Sequence, residues 1–206
     1  MNTFIALLRG INVGGNNIIK MAPLKACFEK LGFCQVTTYI QSGNILFQAP
    51  RPAKELTDQI EETLSKQFRY NSCVVLISHS QLKRIVELAP KNFGQNADTY
   101  RYDVIFLKKP VTPKNAIKVV KTKEGVDNVH AGKYTLYFSR LISGVSQSHM
   151  SRIIQTPIYQ HMTIRNWNTT KQLLTMAEGL SKSAHALESQ FGSTSTKECK
   201  TKTNKR

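Results

Sequence analysis

Residues 3–48 read TFIALLRGINVGGNNIIKMAPLKACFEKLGFCQVTTYIQSGNILFQ, and the succession of patterns within them decides the fold. Thr3–Leu8 is a compact apolar run cut off by Arg9-Gly10, which suits a buried strand. From Met21 to Leu31 the residues Leu24, Cys27, Phe28 and Leu31 fall on one helical face, and Gly32 stops the helix. Gln35–Ile40 is β-branched and aromatic, Gln41-Ser42-Gly43-Asn44 is turn chemistry, and Ile45–Gln48 returns as a strand.

Working outward, Leu56, Ile60 and Leu64 recur at i, i+4, i+8 and predict a helix over Ala53–Phe68. Cys73–Ile77 is an apolar strand, and Ser78-x-x-Gln81 opens a helix that ends before Pro90. The order is β-α-β-β-α-β, and it recurs. Tyr102–Leu107 is a strand. Thr112-Pro113 caps a helix to about Thr122. Val126–His130 and Tyr134–Phe138 flank an Ala131-Gly132-Lys133 turn. His149–Thr156 reads as a helix, Met162–Arg165 as a strand and Thr169–Ala177 as a closing helix. The expected fold is α+β, two ferredoxin-like βαββαβ sandwiches in tandem, with antiparallel sheets and helices on one face. The halves are placed at 1–90 and 101–179, with Pro90–Tyr100 as a polar connector. From Leu180 to Arg206 serine, threonine and lysine dominate, which predicts a disordered basic tail.

Charge is the unusual property. Twenty-nine Lys and Arg against 13 Asp and Glu leave a net +16. Between Arg101 and Gly179 twelve basic residues face four acidic ones, so that stretch alone carries half of the excess. Such a balance attracts phosphates or acidic surfaces. Within it, Lys114, Lys118 and Lys121 recur at i, i+4, i+7, flanked by Lys108, Lys109 and Lys123, with no acid before Glu124. That stripe is the candidate nucleic-acid-binding element, weighed against a plain solvated helix face. The N-terminus lacks a basic n-region, no apolar run approaches a membrane span, and the four cysteines form no zinc-like grouping. A cytoplasmic protein with no membrane partner, no metal and no cofactor is expected.

Topology brings motifs together. A right-handed β-α-β-β arrangement inserts strand three between strands one and two. The glycine- and asparagine-rich loop Gly10–Asn17 then shares a sheet edge with Ser42-Gly43-Asn44. Their backbone N–H groups can form an anion-binding nest beside Arg9, or the glycines and asparagines can simply supply positive φ. Gly10-x-x-x-x-Gly15 is not a P-loop, because Asn16 and Asn17 stand where lysine and a hydroxyl belong. RNA-recognition signatures, G-x-S-x-G elbows and paired metal-binding histidines are likewise missing.

RGINVGGNN (Arg9–Asn17), TYIQSGN (Thr38–Asn44) and TIRNWNT (Thr163–Thr169), in that order, resemble the bacterial family catalogued as domain of unknown function 1697. The resemblance covers roughly Met1–Ala177. It implies a duplicated ferredoxin-like fold and brings no established activity. The matching positions Arg9, Asn12, Gly14, Gly15, Ser42, Gly43, Asn44, Arg165, Asn166 and Trp167 are the ligand-binding candidates. Trp167, the single tryptophan, reads either as a packing anchor between the halves or as a stacking platform for a base or sugar. Asn166 or Asn168 caps the closing helix. The leading expectation is a protein that binds a phosphate-bearing ligand, nucleotide or nucleic acid. The alternatives are an enzyme on a small anionic metabolite and a protein-interaction module.

Overall fold

The computed structural model describes residues 1–191 except Asn16, with side chains described as far as Lys182. It is a mixed α+β structure with two four-stranded antiparallel sheets. The chain divides into two compact units, Met1–His79 with the segment from Leu173 onward, and Ser80–Gln172.

In the first unit the order is β1 (Asn2–Leu8), α1 (Met21–Lys30), β2 (Cys34–Tyr39), β3 (Asn44–Ala49), α2 (Ala53–Phe68) and β4 (Val74–Ser78). The sheet runs β2-β3-β1-β4. β1 is central and apolar from Phe4 to Leu8, and its side chains are buried on both faces from Thr3 to Leu8. Phe4, Ala6 and Leu8 meet Ile45 and Phe47 of β3 and form a core with Leu24 and Phe28 of α1 and Leu56, Ile60 and Leu64 of α2. Phe33 stacks on Phe47 at 4.5 Å between ring centroids, and Phe28 meets Phe47 edge-on at 5.4 Å. Phe4 and Phe47 are therefore core residues rather than a base-stacking surface. α2 stops at Arg69, which takes the left-handed conformation usually left to glycine.

In the second unit α3 (His79–Glu87) leads into β5 (Tyr100–Leu107), α4 (Pro113–Val119), β6 (Asp127–Ala131), β7 (Thr135–Leu141), three 3-10 turns within residues 145–161, and β8 (Met162–Asn166). This sheet runs β6-β7-β5-β8. On one face Ile105, Leu136 and Phe138 pack with Ala116 and Val120 of the α4 region and with Met150 and Ile153 of the second 3-10 turn. On the other face Tyr137 donates its hydroxyl hydrogen to the carbonyl of Ile85 in α3 at 2.6 Å, and burial pushes its phenol up to about 12.

Four elements differ from the sequence reading. Residues 91–100 are no free connector, because Phe93 packs edge-on against Tyr102, Tyr137 and Trp167 at 4.9, 5.3 and 5.1 Å. α4 ends at Val119, since Val120 turns to an extended conformation and buries its side chain in the core. The segment His149–Gln155 forms 3-10 rather than α-helix. α5 runs from Trp167 to Phe191, beyond Gly179, so residues 180–191 of the expected tail continue a helix. Gln48 donates to the carbonyl of Leu180 at 3.1 Å, and Ser181 bonds Thr3 and His79, which holds that stretch to the first sheet. The remainder of the expected tail, 192–206, lies outside the described residues.

Gly94 shows how tight the aromatic cluster is. A Cβ there would lie 2.2 Å from Trp167 Nε1, and its φ of +86° disfavours any side chain. Gly94→Ala is expected to destabilise the second unit by about 1–3 kcal/mol through overpacking and backbone strain. Denaturant unfolding followed by the fluorescence of the single tryptophan reads this directly, and an unchanged midpoint would contradict the packing described.

Candidate functional site

The strand order delivers the expected juxtaposition in the first unit. Leu7 pairs with Asn44, and Leu8 N–H donates to Gly43 O at 2.8 Å, so the end of β1 and the β2–β3 turn share one edge. Asn12 joins the two loops. Its Nδ2 donates to Gln41 O at 2.7 Å and to Ile19 O at 2.9 Å, while its Oδ1 accepts from Ile19 N–H at 2.8 Å. Asn17 closes the loop by donating to Gly10 O at 2.9 Å. Asn44 is fully buried and donates to Tyr39 O and Ser42 Oγ. Gly43 sits where the turn touches the loop, since a Cβ there would lie 2.7 Å from Ile11 Cδ1.

These bonds assign the amides to holding the loops. Arg9 is half-buried, and its backbone N–H donates to Cys73 O at 2.9 Å. Gly14 and Gly15 are exposed with positive φ. Exposed at this edge are Asn17, Lys20 and Gln41 together with the apolar Val13, Ile18 and Ile40, which are 64%, 76% and 49% exposed. The amides of Asn12 and Asn44 are thus turned inward, to the loops they hold. The sequence could not reveal this, because Asn12 reads identically whether its amide points in or out.

The third motif belongs to the second unit. Arg165 pairs with Val104 across β5 and is buried. Its Nη1 donates to Thr163 Oγ1 at 2.7 Å and to Ile164 O at 2.9 Å, and burial pulls the guanidinium down to about 10. Asn166 caps α5: its Oδ1 accepts from Asn168 N–H at 2.9 Å, and its Nδ2 donates to Tyr102 O. Trp167 is 7% exposed and packs on Phe93 within the second unit.

The lysines lie on one continuous segment of the same unit. Lys108 and Lys109 follow β5, Lys114 and Lys118 lie on α4, and Lys121 and Lys123 lie between α4 and β6. Lys121 is thus off the helix, and the third member of the stripe stands in a loop. Lys109, Lys114, Lys118, Lys121 and Lys123 are all exposed. Thr112 caps the short helix by accepting from Asn115 N–H at 3.3 Å. Asp127 anchors the loop that follows, because its Oδ2 accepts from Lys123 N–H at 2.9 Å and from His149 N–H at 2.7 Å, and its Oδ1 from Ser148 Oγ at 2.6 Å. The sequence reading did not single out Asp127, nor the Asp103–Arg140 contact of 3.2 Å on the same sheet. The alternation Arg101-x-Asp103 on one strand face was the available signal.

Among the described residues no group of three or more His, Cys, Asp or Glu is placed to hold a metal ion, and no helix is long and apolar enough to cross a membrane. The family model described as protein of unknown function (DUF1697) matches residues 1–137. The solved structure of the conserved bacterial protein SP0830 from Streptococcus pneumoniae is similar at 25% identity and a TM-score of 0.76, covering 85% of this chain and 98% of that one. No curated protein matches.

The structural role of Asn12 can be separated from its conformation, since it holds a φ of +53° that asparagine and glycine tolerate. Asn12→Gly keeps the backbone but removes the three side-chain bonds, and a loss of about 1–3 kcal/mol is expected. Asn12→Ala should lose more, because it adds strain at positive φ. Chemical unfolding of both variants checks the order, and equal stability to the parent would return the loop to a ligand-facing role.

Proposed function

Since the chain belongs to the DUF1697 family of proteins of unknown function, a membership that names no reaction, we propose a function from its surface: binding of nucleic acid along the lysine segment between β5 and β6. The observation that carries this reading is the exposure of Lys109, Lys114, Lys118, Lys121 and Lys123 on one segment with no acid before Glu124. Lys114 and Lys118 are i, i+4 neighbours, about 5–6 Å apart at Cβ. That is within the screening length of about 8 Å at physiological salt, so their fields add. An extended, solvent-facing row suits successive phosphates of a polymer better than the single phosphate group of a free nucleotide. The anchoring of Lys123 by Asp127 fixes one end of the row before any ligand arrives, which lowers the ordering cost of binding.

The finer architecture belongs with this reading. Both sheets have the order 2-3-1-4 when strands are counted within each unit, which supports two ferredoxin-like units in tandem. The reading as an enzyme on a small anionic metabolite has less behind it, because the amides of Asn12 and Asn44 are engaged within the loops.

Five neutralised phosphates would give a log–log salt slope of about −3.5 on single strands and about −4.5 on duplex DNA. Binding of fluorescent oligonucleotides at increasing salt measures that slope. The triple variant K114E/K118E/K121E should remove most of the affinity while leaving the melting temperature near that of the parent, because all three side chains are exposed. Absence of binding at low ionic strength, or a triple variant that binds as tightly as the parent, ends the proposal.

A further inference from the structure

The end of the second sheet toward which β5 runs gathers three connections. β7 and β8 both lie antiparallel to β5, so the β5–α4 connection, the β6–β7 turn and the approach to β8 leave the sheet together. Phe106 stands opposite Thr135 of β7 on one side and Thr163 of β8 on the other, so neighbouring connections start one strand spacing of ~4.8 Å apart. Lys108 N–H donates to His161 O at 2.7 Å, which ties the β5–α4 connection to the approach to β8. Segments 107–114, 130–135 and 156–162 hold Lys108, Lys109, Lys114 and Lys133 and no aspartate or glutamate. The positive sign of this end therefore depends on the state of no carboxylate within it. Lys109, Lys114 and Lys133 are exposed, and two half-buried tyrosines stand among them. Lys133 Nζ lies over the ring of Tyr134, 5.5 Å from its centroid. Tyr159 packs, as Leu107 and Val111 do, against the core cluster of Ile105 and Ala116.

We propose that this end of the sheet makes the nucleic-acid interface selective for a single strand, with a base stacked on Tyr134 and phosphates held by Lys108, Lys109, Lys114 and Lys133. The inference rests on the nucleic-acid reading above and extends its site by the β6–β7 turn. A row of lysines reads charge alone and serves duplex and single strand alike. A tyrosine ring among them discriminates, because base faces are open in a single strand and covered by neighbouring pairs in a duplex. The ring of Tyr134 already presents its face to a cation carried on a flexible, exposed side chain. An arriving strand draws the Lys133 ammonium to a phosphate, whose full negative charge holds it more strongly than the ring quadrupole, and a base takes the vacated face. Tyr134 flanks the β5–α4 connection from the β7 side and Tyr159 from the β8 side, so the strand runs from one to the other across Lys108 and Lys109.

An unstructured fluorescent oligonucleotide of about 12 nucleotides, used alone and annealed to its complement, tests this on the full chain at fixed salt. The single strand is expected to bind about tenfold or more tighter than the duplex. Tyr134→Ala should weaken single-strand binding about 5- to 100-fold while leaving duplex binding and the salt slope unchanged, since stacking releases no counterion. Tyr134→Phe, which keeps the ring, should bind as the parent does. Lys133→Ala should instead reduce the magnitude of the single-strand salt slope by about 0.7. Selectivity is read from the parent chain, so the test holds even if Tyr134→Ala fails to fold. A duplex bound as tightly as the single strand, or a Tyr134→Ala variant that binds as the parent does, overturns the inference. If K114E/K118E/K121E then loses both forms, the nucleic-acid reading stands without the strand selectivity. No binding of either form at low ionic strength overturns both.

Discussion

Burial of β1 and β5 on both faces is the constraint from which the rest of the structure follows. Each central strand is paired along both edges, β1 with β3 and β4, β5 with β7 and β8. Both faces of these strands are also covered, so nearly every side chain along them must be apolar or engaged, as the runs from Thr3 to Leu8 and from Tyr102 to Phe106 are. At roughly 1.5–3 kcal/mol for each large apolar side chain removed from water, these two strands outweigh any single polar contact described. The exposed polar chemistry therefore lies off these runs, in the Asn12 loop and along the lysine segment of α4 and its flanking loops.

The first unit was legible because its signals are local. Ala53–Phe68 matches its predicted span as a helix, since Leu56, Ile60 and Leu64 repeat on one face and Arg69 ends it. The contact between the Gly10–Asn17 loop and the β2–β3 turn followed from strand order alone, without any pairwise signal between Asn12 and Gln41. What a side chain does once it arrives there was not legible. Asn12 and Asn44 have the same composition and spacing whether they bind a ligand or hold a loop, and only the acceptors at Ile19 and Tyr39 distinguish the cases.

The second unit was harder to read because its decisive partners are distant in sequence. Phe93 and Gly94 sit in a segment of polar and turn-forming residues that looks like a connector until Trp167 is placed against it. The helix carrying the lysines is shorter than its pattern, because the β-branched pair Val119-Val120 yields the last turn to core packing. Asp103, Arg140 and Asp127 come to one sheet face only through strand register, which no linear pattern records.

The division of the chain also bears on the order of events during synthesis. The second unit is one continuous stretch, Ser80–Gln172, whereas the first needs both the N-terminal residues and the segment from Leu173 onward. Ser181 reaches Thr3 across a separation of 178 residues, so that contact cannot form until the chain through Ser181 has left the ribosome. Chains emerge at about 5–20 residues per second, slower than the elementary steps by which small helices and hairpins form. The second unit thus has its complete set of partners before the first does, although β1 is translated ahead of it.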